Sequence, residues 1–493
     1  MDDYRQLQCH TDAASRRRFL GAAVSAVSLG ALPTRLLAAA APGAAMLALS
    51  AYMADAANRE LPDDVLEKAK HHVLDTFAAM ISGAELAPAK AAFVYAKDVA
   101  GERTATIVAS LMTASPMEAA FVNAMLAQSD ETDDSNEFAQ SHPGCAVVPA
   151  AFAAAEKFGS SGARLLRAVT LGYDVGSRMT IAFGAIDFRN NSHKSTHAIA
   201  GVFGAAAASG SIAGLDGQRM RWLLDYTAQQ SAGIGAWTRD TEHMEKAFVF
   251  AGMPARNGIA SALMVHAGFT GIDDIFTGAD NYFLAYAPNA NQQALVDQLG
   301  SRFEITRTNI KKWCVGSPIQ APLDALESIL KRQSIDIDRI RTVVVRLANT
   351  EARVVDNRDI PDICLQHLVA VMLIDRNVSF HAAHDAPRMK DPTVLRVRAR
   401  VQLVASDELE RAEPERQAIV EITLDDGSVV TERINHVRGT AGNPMDRKDV
   451  VGKSRDLIEP VLGKARSDRL IAQLIDLEHL ADVRSLRPLL QTS

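Results

Sequence analysis

Asp130, Glu131, Asp133 and Asp134 put four carboxylates within five consecutive positions, and His142-Pro143 follows within a short loop's length. A surface helix spaces such charges out, because adjacent like charges repel and gain nothing from one another. Crowded carboxylates in an enclosed site hold one another's protons, which makes an acid or a base that works near neutral pH. Two blander readings stand beside this one, a solvated acidic turn and a Ca²⁺ loop. A Ca²⁺ loop needs a Gly for its sharp turn, and none lies between Asp130 and Ser141. His142, His193 and His197 are the natural proton-transfer groups, since imidazole titrates near neutrality. Pro143 fixes the backbone beside His142 and would aim its ring. His193 and His197 are four apart, so on a helix they would share a face. That spacing also suits a metal pair, but no Glu follows the first His and no third ligand is evident, so no metal is expected.

Lysines complete the set. By itself Lys246, after Glu242 and Glu245, reads as an exposed helix cation. Lys311 and Lys312 stand where the sequence pattern changes, and a domain junction there could close over an acidic substrate. One of the two should face solvent. His381 and His384 lie in a polar, loop-like stretch and read as incidental. The chain has no P-loop, Gly-x-Gly-x-x-Gly or Gly-x-Ser-x-Gly, which weakens nucleotide enzymes and serine hydrolases as readings.

The elements that must position these groups are mostly helices. Apolar helical segments flank the acidic cluster, Met117 to Ala127 before it and Ala146 to Phe158 after it, with Pro149 suited to a first-turn position. Val65-Leu66, Ala69, Val73-Leu74 and Phe77 recur at helical spacing. Asp216 is a plausible N-cap for a helix over Arg219 to Gln230, with Gly233 to end it. Beyond Phe303 the pattern changes: Val343 to Leu347, Val394 to Leu403 and Ile419 to Leu424 read as strands, and Asp425-Asp426-Gly427 before Val429 is a hairpin signal. Helical segments fall between them, at Ala321 to Lys331 and Cys364 to Ile374. Helices resume at Val450 to Leu462 and Arg466 to Leu477. The expected fold is mainly α: a helical body over 46–302 and 436–493, interrupted by an α+β insert over 303–435.

A length of 493 residues fits two or three domain-sized units, and 48% hydrophobic with 23% charged residues is ordinary for a soluble enzyme. A net charge of −7 argues against a nucleic-acid partner but allows a local cationic pocket for an acidic substrate. Arg16-Arg17-Arg18-Phe19-Leu20 precedes a short apolar run and Ala38 to Ala41, which fits a twin-arginine export signal over 1–41 and a periplasmic location. Without a working signal the protein would be cytoplasmic. Nothing later in the chain reads as transmembrane. Cys145, Cys314 and Cys364 remain after the signal, an odd number without metal-type spacing, so no disulfide framework is expected.

Six stretches taken in order resemble the MmgE/PrpD family, whose enzymes dehydrate, decarboxylate or epimerise carboxylic acids. They are Asn123 to Ser135 with His142-Pro143-Gly144; Gly172-Tyr173-Asp174-Val175 with Arg178; and His193 to His197 running into Gly201 to Ala208. Lys246 with Gly252 to Gly271, Ile310 to Cys314, and Gly442-Asn443-Pro444-Met445 follow. The resemblance implies a helical domain with a smaller α+β lid, a homodimer, and a cofactor-independent lyase of a di- or tricarboxylic acid that abstracts a proton beside a carboxylate. An epimerase or isomerase, or an acid-binding protein without turnover, are the competing implications.

The resemblance assigns the site residue by residue. It implies catalytic roles for Glu131 or Asp130, Asp134, His142, His197 and Lys246. Ser135, His193, Lys311, Lys312, Gln320 and His367 would bind substrate. There are departures. The usual His-x-x-Asp-aromatic-Asp-Asp-Thr reads here as Gln128 to Ser135, with Gln for the first His and Glu131 for the first Asp, or Asp130 by a one-residue shift. Gln320 stands where members carry a His, and His367 where many carry a Tyr.

Overall fold

The computed structural model describes residues 41–492, so the export-signal reading of residues 1–41 lies almost wholly outside it. The centre of the body is the helix Thr196–Ile212, in which all seventeen residues are buried. It packs against the helices Gly144–Phe158, Gly162–Phe183 and Met253–His266. A helix surrounded on all sides needs no polar face, which is why its sequence is a run of Ala, Gly and Ser and not a periodic stripe. Small residues let the axes approach. A Cβ on Gly204 would lie 2.7 Å from the Gly172 carbonyl oxygen, and one on Gly172 would lie 2.8 Å from that of Gly204. Neither position can take a side chain without moving backbone.

The segment Met244–His266 is long and apolar enough to cross a membrane. It nonetheless packs against Pro116–Ala127 and Thr196–Ile212 within the body. Its apolarity serves core packing.

Strands β1 (Ala105–Thr106) and β2 (Thr113–Ala114) form a small antiparallel pair. A four-stranded sheet in the order β4-β3-β5-β6 holds β3 (Ile340–Ala348), β4 (Val401–Ser406), β5 (Ala418–Leu424) and β6 (Val429–Ile434). β3 and β4 run parallel and the other pairs antiparallel. The β5–β6 hairpin turns on Asp425-Asp426-Gly427, where Gly427 has φ +83°. The helices Gln320–Arg332 and Leu365–Asp375 pack on this sheet, and together they enclose an apolar core of their own, from Trp313 to Val437. Arg447–Leu462 then returns to pack on Asp63–Gly83, where Lys453 Nζ meets Asp75 Oδ1 at 2.7 Å.

Three local expectations are corrected. Val394 to Leu403 is not one strand: Pro392–Arg398 is helical, and β4 starts at Val401. Asp391 caps that helix, accepting from Thr393 and Val394 backbone N–H groups at 2.9 and 3.0 Å, and Pro392 suits its first turn. Pro149 is interior, because the helix begins at Gly144. The helix capped by Asp216 ends at Gln230, short of Gly233.

Candidate active site

The acidic cluster is a loop between two buried helices, Pro116–Ala127 and Gly144–Phe158. It is not a solvated turn: every residue from Gln128 to Asn136 is buried. Buried carboxylates demand partners, and each finds one from a different part of the chain. His384 Nε2 lies 2.9 Å from Asp130 Oδ2, and Thr132 Oγ1 donates to the same oxygen at 2.5 Å. Glu131 pairs with Lys246 and, at 3.5 Å, with Lys311. Asp133 faces His142 Nδ1 at 2.9 Å and Lys311 Nζ at 3.4 Å. Asp134 takes His72 at 2.8 Å, the Tyr173 hydroxyl at 2.5 Å and the Gly144 N–H at 2.9 Å. Lys453 holds the loop from below, donating to the Thr132 carbonyl at 3.0 Å.

These partners set the charges. Burial works to raise Glu131, but Lys246 and Lys311 outweigh it and hold the carboxyl well below its ordinary range. Asp133 is pushed up to about 7, first by burial and then by Asp134 and Glu131, with Lys311 opposing. His142 is driven well below its ordinary value by burial and by Lys311 and Lys246, so its ring is neutral. Asp133 and His142 therefore share a proton near neutral pH, with Asp133 orienting Nδ1. His142 Nε2 makes no hydrogen bond among the described residues, and the ring lines a cavity.

An aromatic wall backs this pair. His197 stacks on Phe250 with ring centroids 3.8 Å apart, Trp237 meets Phe250 edge-on at 4.6 Å, and the His142 and His197 rings lie 5.2 Å apart. Burial drives His197 well below its ordinary value, so it too is neutral. Lys246 and Phe250 flank the start of a single π-helical turn, Phe248–Gly252, a distortion that re-aims side chains and recurs at functional sites.

An inner chamber of about 210 Å³ is lined by Glu131, Ser135, His142, His197, Lys246 and Phe250, among others. It meets an outer cavity of about 1000 Å³ along a shared wall that includes Glu131, Trp237 and Lys246. The outer cavity carries Arg189, Lys194, Arg239, Lys246, Arg353 and Arg358 against two carboxylates, Glu131 and Asp240. Such a field draws in anions. His193 and His243, both on its wall, hold left-handed backbones at φ +59° and +60°. His193 does so as the C-cap of Ala185–Ser192.

Of the residues singled out in the sequence, the inner chamber gathers Glu131, Ser135, His142, His197 and Lys246, and the outer cavity adds His193. Others line neither. Asp130 and Asp134 are consumed by His384 and by His72 and Tyr173, so Asp134 fixes the loop to the start of the following helix. Lys311 is a buried cross-link between Glu131 and Asp133 and lines neither cavity. Lys312 pairs with Glu327 at 2.5 Å. Gln320 spends its amide on Trp313 and Val315 backbone, holding the turn before Gly316-Ser317-Pro318, which lines the inner chamber. His367 is fully buried with neither ring nitrogen partnered. His193 and His197 do not share a helix: the first follows Ala185–Ser192 and the second opens Thr196–Ile212. The metal pair read from their spacing loses its geometric basis.

Sequence reasoning missed His243, His384, Lys453, Arg189 and Arg416. His384 reads as incidental from its polar surroundings, yet it pairs with Asp130, more than half the chain away in sequence. No local spacing signals a contact of that range.

The comparisons with known proteins cover nearly the whole described chain. The MmgE/PrpD N-terminal domain matches residues 47–294, and the MmgE/PrpD C-terminal domain matches residues 313–477. A cis-aconitate decarboxylase from Aspergillus terreus is 25% identical over 473 residues, covering 89% of this chain and 94% of that protein. The Homo sapiens cis-aconitate decarboxylase is 25% identical over 453 residues, covering 87% of this chain and 91% of its own.

Proposed function

The chain belongs to the MmgE/PrpD family, and from that premise we propose a lyase of di- or tricarboxylic acids that moves one proton beside a carboxylate. The observation that carries this reading is the inner chamber itself. A neutral His142, oriented by Asp133 and with Nε2 unengaged among the described residues, shares that chamber with Lys246, inside a cation-lined cavity. The similarity to cis-aconitate decarboxylases supports an unsaturated tricarboxylate as the first substrate to try.

The chemistry balances on these residues. In a cis-aconitate-like acid the bond to the departing carboxylate breaks, and its electron pair forms the new double bond. The old double bond takes a proton at its far carbon. His142 Nε2–H supplies that proton while Asp133 returns one to Nδ1, so no isolated imidazolium forms in the buried chamber. The arginines meet the substrate's charge, with Lys246 held at the chamber wall by Glu131, and closure of residues 303–435 over the cavity would exclude water. Dehydration is the second reading, favoured by the resting state of His142. A neutral imidazole is ready to accept the proton alpha to a carboxylate. An epimerase would be favoured by the exchanges at Gln320 and His367 if they altered the site, but neither side chain lines the cavity. No cofactor or metal is needed for these steps.

The test offers the purified protein a panel of di- and tricarboxylic acids, cis-aconitate first, and follows carbon dioxide release and the ultraviolet absorbance of the conjugated double bond. Turnover of at least one acid, unchanged after dialysis against a strong chelator, is expected. Activity that returns only with a divalent metal would overturn the cofactor-free mechanism, and no turnover of any acid would overturn the lyase reading.

A further inference from the structure

Three cations line the inner chamber, and two are committed. Lys246 is paired with Glu131, and Arg189 donates to Gln140 Oε1 at 3.0 Å. The third, Arg416, makes no side-chain hydrogen bond or ion pair among the described residues, although it shares the chamber wall with Ser135 and His142. Its position is nonetheless built. The Arg416 backbone is left-handed, φ +66°, in a residue that is not glycine, a conformation that persists only where its surroundings enforce it.

The enforcement is visible one residue on. Gln417 Nε2 donates to the Pro414 carbonyl at 3.1 Å, and its Oε1 accepts from Arg433 Nη2 at 2.9 Å, just before β5 begins. An anchored turn thus delivers a guanidinium to the chamber. Burial raises both nearby carboxyls that feel its charge, Glu137 and Glu351, the latter to about 7, and neither makes an ion pair with Arg416 among the described residues. On the same wall the Ser135 and Ser141 hydroxyls are buried and unpartnered. Unsatisfied buried hydroxyls beside an uncommitted guanidinium are the donors that a carboxylate would satisfy.

We propose that Arg416 is the carboxylate clamp of the inner chamber, binding through its planar fork the substrate carboxylate that the product retains, with Ser135 and Ser141 completing the subsite. This rests on the carboxylic-acid lyase reading above. A substrate with two or three carboxylates has at least one away from the reacting bond, and something must hold it in register. Lys246 is already engaged by Glu131. Arg416 offers the two parallel N–H donors that fit a carboxylate, which a lysine cannot reproduce.

The experiment is a calorimetric titration of the full chain, as wild type, Arg416→Met, Arg416→Lys and Ser135→Ala, with tricarballylate, a tricarboxylate with no double bond or hydroxyl to lose. Arg416→Met should bind on the order of tenfold to a hundredfold more weakly, the loss expected of a charge-assisted hydrogen-bonded pair. Arg416→Lys should fall between it and wild type, and Ser135→Ala should lose less. Should Arg416→Met melt early, Arg416→Lys decides, because it keeps the charge and removes the fork: unchanged affinity there overturns the clamp. Equal affinity in folded Arg416→Met and wild type overturns the clamp and leaves the lyase reading standing. Wild type that binds neither tricarballylate nor any other di- or tricarboxylate overturns both.

Discussion

Of the three histidine–aspartate pairs on one loop, two with carboxylates three residues apart hold their protons in opposite ways. At Asp133–His142 the imidazole is held well below its ordinary value and the carboxyl is raised to about 7. At Asp130–His384 the imidazole is raised to about 9, since Asp130 and Asp362 outweigh its burial, and Asp130 is held low. The contact distances are the same, 2.9 Å in each. What differs is the neighbourhood. Lys311 and Lys246 stand beside His142 and repel a proton from it, whereas His384 has carboxylates around it and gives its Nδ1–H to the Phe380 carbonyl at 2.8 Å. A buried His–Asp contact is thus a proton relay or a fixed ion pair according to the third charge nearby. The first suits chemistry, the second holds the loop on which the first depends.

The largest effect should come from breaking the relay. His142→Asn is expected to lower the turnover rate on the order of 10²–10⁴-fold, the usual contribution of a positioned acid or base. Its melting temperature should stay close to wild type, because the ring lines a cavity and supports little packing. A variant that unfolds early yet retains its rate would make His142 a structural residue like His384.

Lys311→Met comes next, because it removes the charge that makes the two pairs differ. It leaves Glu131 and Asp133 short of a buried counter-ion, so a loss of about 3–5 kcal/mol in chemical denaturation is expected. With one repelling cation gone, His142 should also hold a proton more readily, and the pH–rate profile should shift upward. An unshifted profile in folded protein would show that Lys311 does not set the His142 charge.

His384→Gln should have the smallest effect, and it should depend on pH. Folding raises His384 from 6.5 to about 9, so its stabilisation is complete below about 6.5 and disappears as pH rises through about 9. Asp130 is lowered, so its share is lost only as pH falls through the acidic range. The wild-type advantage over His384→Gln, at most about 3 kcal/mol, should therefore be full near pH 6 and fade toward pH 10. Thermal melts across that range measure it, and an advantage that grows with pH would contradict the ion pair.

The same contrast explains what the sequence could reveal. The Asp216 cap, the Asp425-Asp426-Gly427 turn and the helices around the acidic loop carry their causes within a few residues, and they were legible. The helix Pro392–Arg398 was legible too, had Asp391-Pro392 been weighed as a cap and first turn against the strand-like Val and Leu that follow. Within the candidate site, the crowded carboxylates and the reactive residue types were visible, but their partners were not. His384, Lys453 and Arg416 reach the loop or its chamber from hundreds of residues away, and only the packing of the sheet-bearing segment and the returning Arg447–Leu462 helix puts them there. Gln320 and Lys312 fail the opposite way: their types suit substrate binding, yet local backbone and Glu327 claim them first.

The relay between Asp133, His142 and the substrate carbon is tested most directly by turnover in deuterium oxide. Wild type and His142→Asn would be incubated with cis-aconitate, or with whichever acid of the panel is consumed, and the product read by nuclear magnetic resonance. For a decarboxylation the account predicts one deuterium, in a single stereochemical position alpha to a retained carboxylate, from wild type and almost no labelled product from His142→Asn. For a dehydration the same label should enter the remaining substrate by reversal. Wild-type turnover without deuterium in substrate or product, or equal labelling by His142→Asn, would contradict it.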